Sequence, residues 1–363
     1  MIESWSNKGN KITYFGENSL LKNFKEITGK NILLICTPRS IHREEIILAK
    51  ANLKKNNTLF INNSTLPNPS VSGIEDIYKQ YKNKNVDLII AIGGGSVIDT
   101  AKVLAVAFKG YYPTILELIN NYKRILYDKK IKLIAVPTTS GTGAEVTPFA
   151  TVWDYTNNRK ISFAEEIIIP DIIILDPIYC KSVPQAIRLD CALDAFSHSL
   201  ESLWNKNRNS ISTIFSIKAL EIMTKTLPLI ISNNITREST SQQMLASYYS
   251  GIAISETKTA IAHAVSYPLT AKHGLPHGIA CSFTLLALLN DCKEHLVDLM
   301  GESLFYDVQK ILESVDFTKR INEFMNKNDI PLHIKEMSQP GRADNYIGNI
   351  DESSIITILK NSL

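Results

Sequence analysis

The sequence predicts an α/β domain with a doubly wound parallel sheet over residues 1–184, followed by an all-α domain over 185–363. Three observations lead there. Short apolar runs alternate with helix-length amphipathic segments through the first half. The runs are apolar throughout rather than at every second residue, as strands covered on both faces require. After Pro184 the strand signals fade and apolar residues recur at i, i+3, i+4, the period of a helix with one buried face. The length agrees, because 363 residues make roughly two domains.

The predicted strands are Ile32–Thr37, Leu59–Ile61, Leu88–Ile92, Leu133–Val136 and Ile172–Leu175. Asn68-Pro69 marks a turn before a helical segment, Val71–Lys82, and a second helix, Val97–Phe108, follows the third strand. Asp176-Pro177 and Pro184 close the last strand. Beyond it the helical period covers Ala186–Trp204, Ser210–Thr226, Ser241–Ser255 and Ser303–Asn326. There is no internal repeat and no Pro/Ser-rich linker, so close packing of the two domains is expected, with a ligand cleft between them.

Composition excludes several classes of function. The 39 Lys and Arg against 36 Asp and Glu leave a net charge of +3, which calls for neither nucleic acid nor an acidic membrane. Five widely spaced cysteines without a CxxC pair suggest neither a disulfide framework nor a zinc ribbon, and a reducing cytoplasm fits them best. Met1–Gly9 is polar and no apolar run reaches the roughly 18 residues of a membrane span.

Two loops are candidates for holding a phosphate-bearing ligand. Gly93-Gly94-Gly95-Ser96 stands between a strand and a helix, where glycine permits close backbone approach and the helix N-terminus offers N–H groups and a positive dipole end. It matches neither GxGxxG nor the phosphate-binding GxxxxGK[ST], and a tight strand-to-helix connection needs the same glycines. Pro137-Thr138-Thr139-Ser140-Gly141-Thr142-Gly143-Ala144-Glu145 also follows a strand and combines small residues with hydroxyls, as a cofactor loop or a helix cap would. A third constellation concerns metal. Asp194 and His198 lie four apart on one helical face, and His263 and His277 lie later, in a stretch that also holds His273. One carboxylate and three imidazoles suit Fe²⁺ or Zn²⁺. The same spacing also suits a helix-surface pair and a polar turn.

Taken in order, the runs GGGSVIDTAK (Gly93–Lys102), PTTSGTGAE (Pro137–Glu145), DCALDAFSHSLE (Asp190–Glu201) and AHAVSYPL followed by PHG resemble the iron-containing (group III) alcohol dehydrogenase family, along nearly the whole chain. The resemblance implies an N-terminal dinucleotide-binding domain, a C-terminal helical domain, and a metal, Fe²⁺ or Zn²⁺, held by Asp194, His198, His263 and His277. It places the pyrophosphate of NADPH or NADH on Gly94, Gly95 and Ser96 with Asp99 nearby. Thr138, Thr139 and Thr142 would line the cofactor, and Lys160 would reach its ribose. It further implies a small aldehyde substrate and a homodimer or larger assembly, with no nucleic-acid or membrane partner.

Two departures from the family pattern bear on chemistry. Where many members carry an Asp after the first strand, this chain reads Cys36-Thr37-Pro38-Arg39-Ser40. Losing the acid removes a repulsion, and Arg39, with Thr37 beside it, could pair with a 2′-phosphate, so NADPH is expected to be accepted. Tyr267 replaces a histidine four residues after His263, which leaves Tyr267, His273, a ribose hydroxyl or solvent to deliver the proton. The stretches Thr147–Asp154 and Ser266–Thr270 resemble the phosphonoacetaldehyde reductase branch, whose product is 2-hydroxyethylphosphonate. Arg159, Lys160, Lys258, Lys272 and Arg342 are the cations available to a phosphonate. A general short-chain alcohol dehydrogenase, a dehydroquinate synthase-type lyase and a catalytically silent scaffold are the alternatives.

Overall fold

In the computed structural model, residues 5–8, 11–124, 129–157, 159–338 and 341–362 are described. Of the polar N-terminus Met1–Gly9, only the strand Trp5–Lys8 falls within them. The chain forms two units. The first is Met1–Thr139 with Ala144–Ser182, and the second is Val183–Leu363 with Ser140–Gly143.

The first unit is built on β1 (Trp5–Lys8), β2 (Ile12–Phe15), β3 (Asn31–Ile35), β4 (Thr58–Asn62), β5 (Leu88–Gly93), β6 (Lys132–Pro137) and β9 (Ile172–Leu175), in the order β1-β2-β9-β6-β5-β3-β4. All neighbours are parallel except β1 and β2. Alternation along each strand explains why the apolar runs are continuous. Leu33, Ile35, Ile89, Ala91, Leu133 and Ala135 pack on one face against α3 (Val71–Tyr81), α4 (Gly95–Ala107) and α5 (Ile115–Asn121). Ile32, Leu34, Ile90, Ile92, Ile134 and Val136 pack on the other against α1 (Ser19–Phe24) and α2 (Glu44–Lys54). The chain reverses its direction of travel between β3 and β5, so the loops after those strands flank the switch point where ligands of such sheets bind.

A short antiparallel pair, β7 (Phe149–Asp154) and β8 (Arg159–Ala164), is an element that the apolar runs did not signal. It is tied to α4 by a fully buried lysine. Lys102 Nζ donates to the carbonyl oxygens of Thr147 and Phe149 at 2.7 Å each and to Thr147 Oγ1 at 3.2 Å. Three acceptors satisfy the three donors of the ammonium, so Lys102 anchors the chain after the 137–145 loop.

The second unit is helical: α6 (Gln185–Leu203), α7 (Ser210–Ile231), α8 (Arg237–Thr257), α9 (Ile261–His273), α10 (His277–Ser282), α11 (Leu285–Asp291), α12 (Lys293–Met300), α13 (Glu302–Ser314), α14 (Phe317–Asn322), α15 (Ile334–Met337) and α16 (Glu352–Ser362). Its core runs from Leu193, Phe196 and Leu200 of α6 through Leu220 and Met223 of α7 to Phe305 and Leu312 of α13. The single helix expected over Ser303–Asn326 is instead two. Val315 is extended and Asp316 caps a new helix, its side chain accepting from Lys319 N–H at 2.9 Å. Among the described residues no helix is long and apolar enough to cross a membrane.

Candidate active site

In the first unit, three loops meet at the carboxyl ends of adjacent strands. Gly93 pairs with Pro137 across β5 and β6, and Thr138 N–H donates to the Gly93 carbonyl at 3.0 Å. A Cβ at Gly93 would overlap the Val97 side chain, so this glycine serves the tight turn into α4. Gly94 lies against Thr139, leaving the N–H groups of Gly95 and Ser96 at the open end of α4. Ser96 Oγ accepts from Asn68 N–H at 3.3 Å. Beyond β3, Thr37 and Ser40 form an interlocked turn, their hydroxyls 2.9 Å apart, and Arg39 projects from it, exposed and without an ion pair among the described residues. Asp99 accepts from Thr151 N–H of β7 at 2.9 Å, and burial raises its carboxyl to about 6. Lys160 stands over the Trp153 ring at 5.7 Å.

Thr142 is placed differently from Thr138 and Thr139, since residues 140–143 group with the helical unit. Gly143 has φ +60° and packs on Gly251 of α8, while a Cβ at Gly141 would strike the Cys191 backbone of α6. Only glycine allows both approaches.

In the second unit the structure brings Asp194, His198, His263 and His277 together. From Asp194 Oδ1, the distances are 3.4 Å to His198 Nε2, 3.3 Å to His263 Nε2 and 3.7 Å to His277 Nε2. Donors about one tetrahedral ion stand about 3.4 Å apart, and the three separations from Asp194 fit that spacing, although His198 lies outside the group whose ligand atoms are all close to one another. The His198 and His263 rings stack with centroids 4.8 Å apart. Cys281, one turn after His277 on α10, joins the group. Its Sγ lies 3.7 Å from Asp194 Oδ1, and the ligand atoms of Asp194, His263, His277 and Cys281 all lie within 4.8 Å of one another.

Local packing explains the convergence. Asp194, His198 and Glu201 fall at i, i+4 and i+7 on one face of α6. Ser197 Oγ bonds the Cys281 carbonyl and Ser282 Oγ the Leu193 carbonyl, each at 3.0 Å, drawing α10 onto α6. Gly278 touches the Asp190 backbone with no room for a Cβ, and Ile279 N–H donates to Asp190 Oδ1 at 3.2 Å. That close approach sets the position of His277.

Glu201, fully buried, was not anticipated as a site residue. Its Oε2 is 2.6 Å from His263 Nδ1, and its Oε1 accepts the His263 backbone N–H at 3.1 Å. His263 Nδ1–H therefore donates to the carboxylate, leaving a buried Nε2 with no hydrogen-bond partner aimed at the cluster. An orphaned lone pair in a dry site is what a bound cation would satisfy. Burial opposes ionisation of Asp194, yet the three rings hold its carboxylate far below the usual range. Burial pushes His198 down, toward the neutral form that ligates. Burial would do the same to His263, but Glu201 and Asp194 raise it to about 9, so a cation binds there in competition with a proton. Burial and the nearby carboxylates push the Cys281 thiol well above its usual range. Glu201→Gln is expected to weaken Zn²⁺ affinity by about 10- to 100-fold with the fold intact, as read by competition with a chelating dye.

The remaining predicted residues lie as follows. Tyr267 is one turn beyond His263 on α9. His273, at the end of that helix, has its Nε2 2.8 Å from His333 Nε2, with Glu336 beyond at 3.4 Å from His333 Nδ1. Of the five cations, Arg159 pairs with Asp154 at 2.8 Å and Lys272 with Glu336 at 2.7 Å. Lys258 is exposed. Arg342 is half-buried near Tyr267 and Glu201.

Comparison with known proteins bears on the family and the fold. A family model described as iron-containing alcohol dehydrogenase matches residues 10–177, and the model for the C-terminal part of the Fe-containing alcohol dehydrogenase family matches 189–340. The NAD-dependent methanol dehydrogenase of Bacillus methanolicus is 28% identical over 249 residues, 66% of this chain and 64% of the relative. The phosphonoacetaldehyde reductase of Streptomyces viridochromogenes is 31% identical over 219 residues, 58% of this chain and 54% of the relative. Both alignments span less than two thirds of the relatives' own length. The crystal structure of an iron-containing alcohol dehydrogenase from Thermotoga maritima superposes with a TM-score of 0.83 at 25% identity, covering 99% of each chain.

Proposed function

The chain belongs to the iron-containing alcohol dehydrogenase family, and on that footing we propose that it reduces an aldehyde to a primary alcohol using NAD(P)H and a divalent metal. Phosphonoacetaldehyde is the favoured substrate in this reading and 2-hydroxyethylphosphonate the product. The observation that carries the reading is the set of donors about Asp194 Oδ1, with an orphaned His263 Nε2 oriented by Glu201.

When bound, the metal supplies Lewis-acid polarisation of the carbonyl and the reduced nicotinamide supplies the hydride. The chain does the rest. Asp194 contributes the negative charge and His198, His263 and His277 contribute neutral donors. Glu201 fixes the His263 tautomer. His277, its side chain 37% exposed, borders the side that stays open to substrate. Tyr267 carries its hydroxyl on the same face of α9 as His263 and is the group we assign to deliver the proton to the product oxygen. His273, whose Nε2 already faces His333, is the second candidate. For the cofactor, Gly94, Gly95 and Ser96 take the pyrophosphate, with Asp99 close behind. Thr37, Thr138, Thr139, Thr142 and Lys160 contact the remainder. Arg39 is assigned to a 2′-phosphate. Arg39→Ala is then expected to lower kcat/KM about tenfold more for NADPH than for NADH, one charge-assisted contact being lost. Equal losses for the two cofactors would remove that assignment.

The alignment with the methanol dehydrogenase favours a second reading, a dehydrogenase of uncharged short-chain alcohols. The two separate in one assay. Protein loaded anaerobically with Fe²⁺ or Zn²⁺ is given phosphonoacetaldehyde or propionaldehyde, and NADPH or NADH absorbance is followed. A strong preference for the phosphonate supports the first reading. Equal or better use of propionaldehyde supports the second.

A further inference from the structure

Arg342 carries a charge that no acid among the described residues neutralises at contact distance. It opens the turn Ala343–Asn345, which is stapled in place from two sides: Asn345 Nδ2 donates to the Thr259 carbonyl at 2.8 Å ahead of α9, and Lys206 N–H and Ile347 N–H bond the Asn345 and Trp204 carbonyls at 2.7 and 3.1 Å after α6. These bonds hold the turn from which the Arg342 side chain departs. That side chain is half-buried and makes no hydrogen bond or ion pair among the described residues. Its electrostatic neighbours are the Tyr267 hydroxyl and the Glu201 carboxylate. The latter is already committed to His263. A half-buried guanidinium with no ion pair among the described residues keeps its planar fork of donors available to a tetrahedral or planar oxyanion.

We propose that Arg342 binds the anionic group of the substrate, phosphonate, sulfonate or carboxylate, and so selects aldehydes that carry a negative charge beside the reacting carbonyl. This inference rests on the aldehyde-reductase reading and names its specificity residue. The other four cations leave the assignment open to Arg342, two of them being paired with acids, one exposed and one set over an indole. Tyr267, on the same face of α9 as His263, brings the anion site and the donor cluster to neighbouring turns of one helix.

The test uses metal-loaded wild type, Arg342→Met and Arg342→Lys, each checked for metal content and melting temperature. The readouts are kcat and KM on phosphonoacetaldehyde and propionaldehyde, and inhibition by methylphosphonate. Arg342→Met is expected to lower kcat/KM about 30-fold more on phosphonoacetaldehyde than on propionaldehyde, mostly through KM, and to weaken methylphosphonate inhibition by a similar factor. Arg342→Lys keeps the charge but not the fork and falls between, which also stands as the test should the methionine variant fail to fold. A structural role alone would move both aldehydes equally. If wild type prefers the phosphonate and the Arg342 variants keep that preference within threefold, Arg342 is not the anion site although the substrate reading stands. If wild type shows no preference, the substrate reading fails and this inference with it.

Discussion

Asp194→Asn is expected to abolish stoichiometric metal and to lower kcat/KM by about three orders of magnitude, the equivalent of several kcal/mol of lost charge stabilisation. The substitution hardly alters volume, so the effect is electrostatic. Asp194 Oδ1 is the atom from which the three imidazoles are spaced, and among the described residues its carboxylate is the one that contacts all three, Glu201 touching His263 alone. An amide oxygen leaves three neutral rings around a dication, with Glu201 acting only through His263. Metal analysis after gel filtration and an NAD(P)H oxidation assay check the two halves separately. Full metal with lost turnover would mean that Asp194 acts on substrate rather than on metal.

Gly278→Ala is the second large effect. The new Cβ would overlap the Asp190 carbonyl oxygen, which belongs to the backbone of α6 and has no soft direction in which to yield. Helix α10 must move outward, breaking the Ile279–Asp190 hydrogen bond and carrying His277, the first residue of that helix, away from Asp194. Overpacking of this kind costs about 1–3 kcal/mol of stability. A ligand displaced by roughly 1 Å costs about 100-fold in rate. The control is Gly274→Ala, at φ +67° with nothing near the added methyl. It is expected to cost about 1–2 kcal/mol through backbone strain alone, with His277 still in register. Comparable activity losses in the two variants would refute the packing argument.

The parallel sheet and the helices that follow it were legible because burial leaves a mark in sequence. Leu88–Ile92 could only be a strand covered on both faces, and the helical period of Ala186–Trp204 put Asp194 and His198 on one side. Residues whose role depends on distant partners left no such mark. His263 and His277 reach Asp194 through the docking of α9 and α10, which no spacing rule encodes; the residues alone leave them open between metal ligands and a polar turn, and the family resemblance assigns them as ligands. Glu201 reads in sequence as one more acid on a helix. Its burial against His263 follows from the fold, although its place seven residues after Asp194 on one face was a usable signal. Cys281, one turn after His277, offered a similar one. The β7–β8 pair was missed because its alternation does not follow polarity, Phe149 and Trp153 of β7 being only partly buried while Asp154 is buried, and the break at Val315-Asp316 because the apolar period continues across it. Lys102 ends the run GGGSVIDTAK without completing a phosphate-binding loop, and its ammonium is spent on the carbonyls of Thr147 and Phe149.

The central claim, that the donors about Asp194 hold a metal on which aldehyde reduction depends, is tested most directly by anaerobic titration of metal-free protein with Fe²⁺ or Zn²⁺ while aldehyde-dependent NAD(P)H oxidation is followed in the same samples. The account predicts that turnover rises in proportion to bound metal and saturates at one ion per chain, and that chelation removes both together. Aldehyde reduction by the metal-free chain, or a full complement of metal with no oxidation of either cofactor, would contradict it.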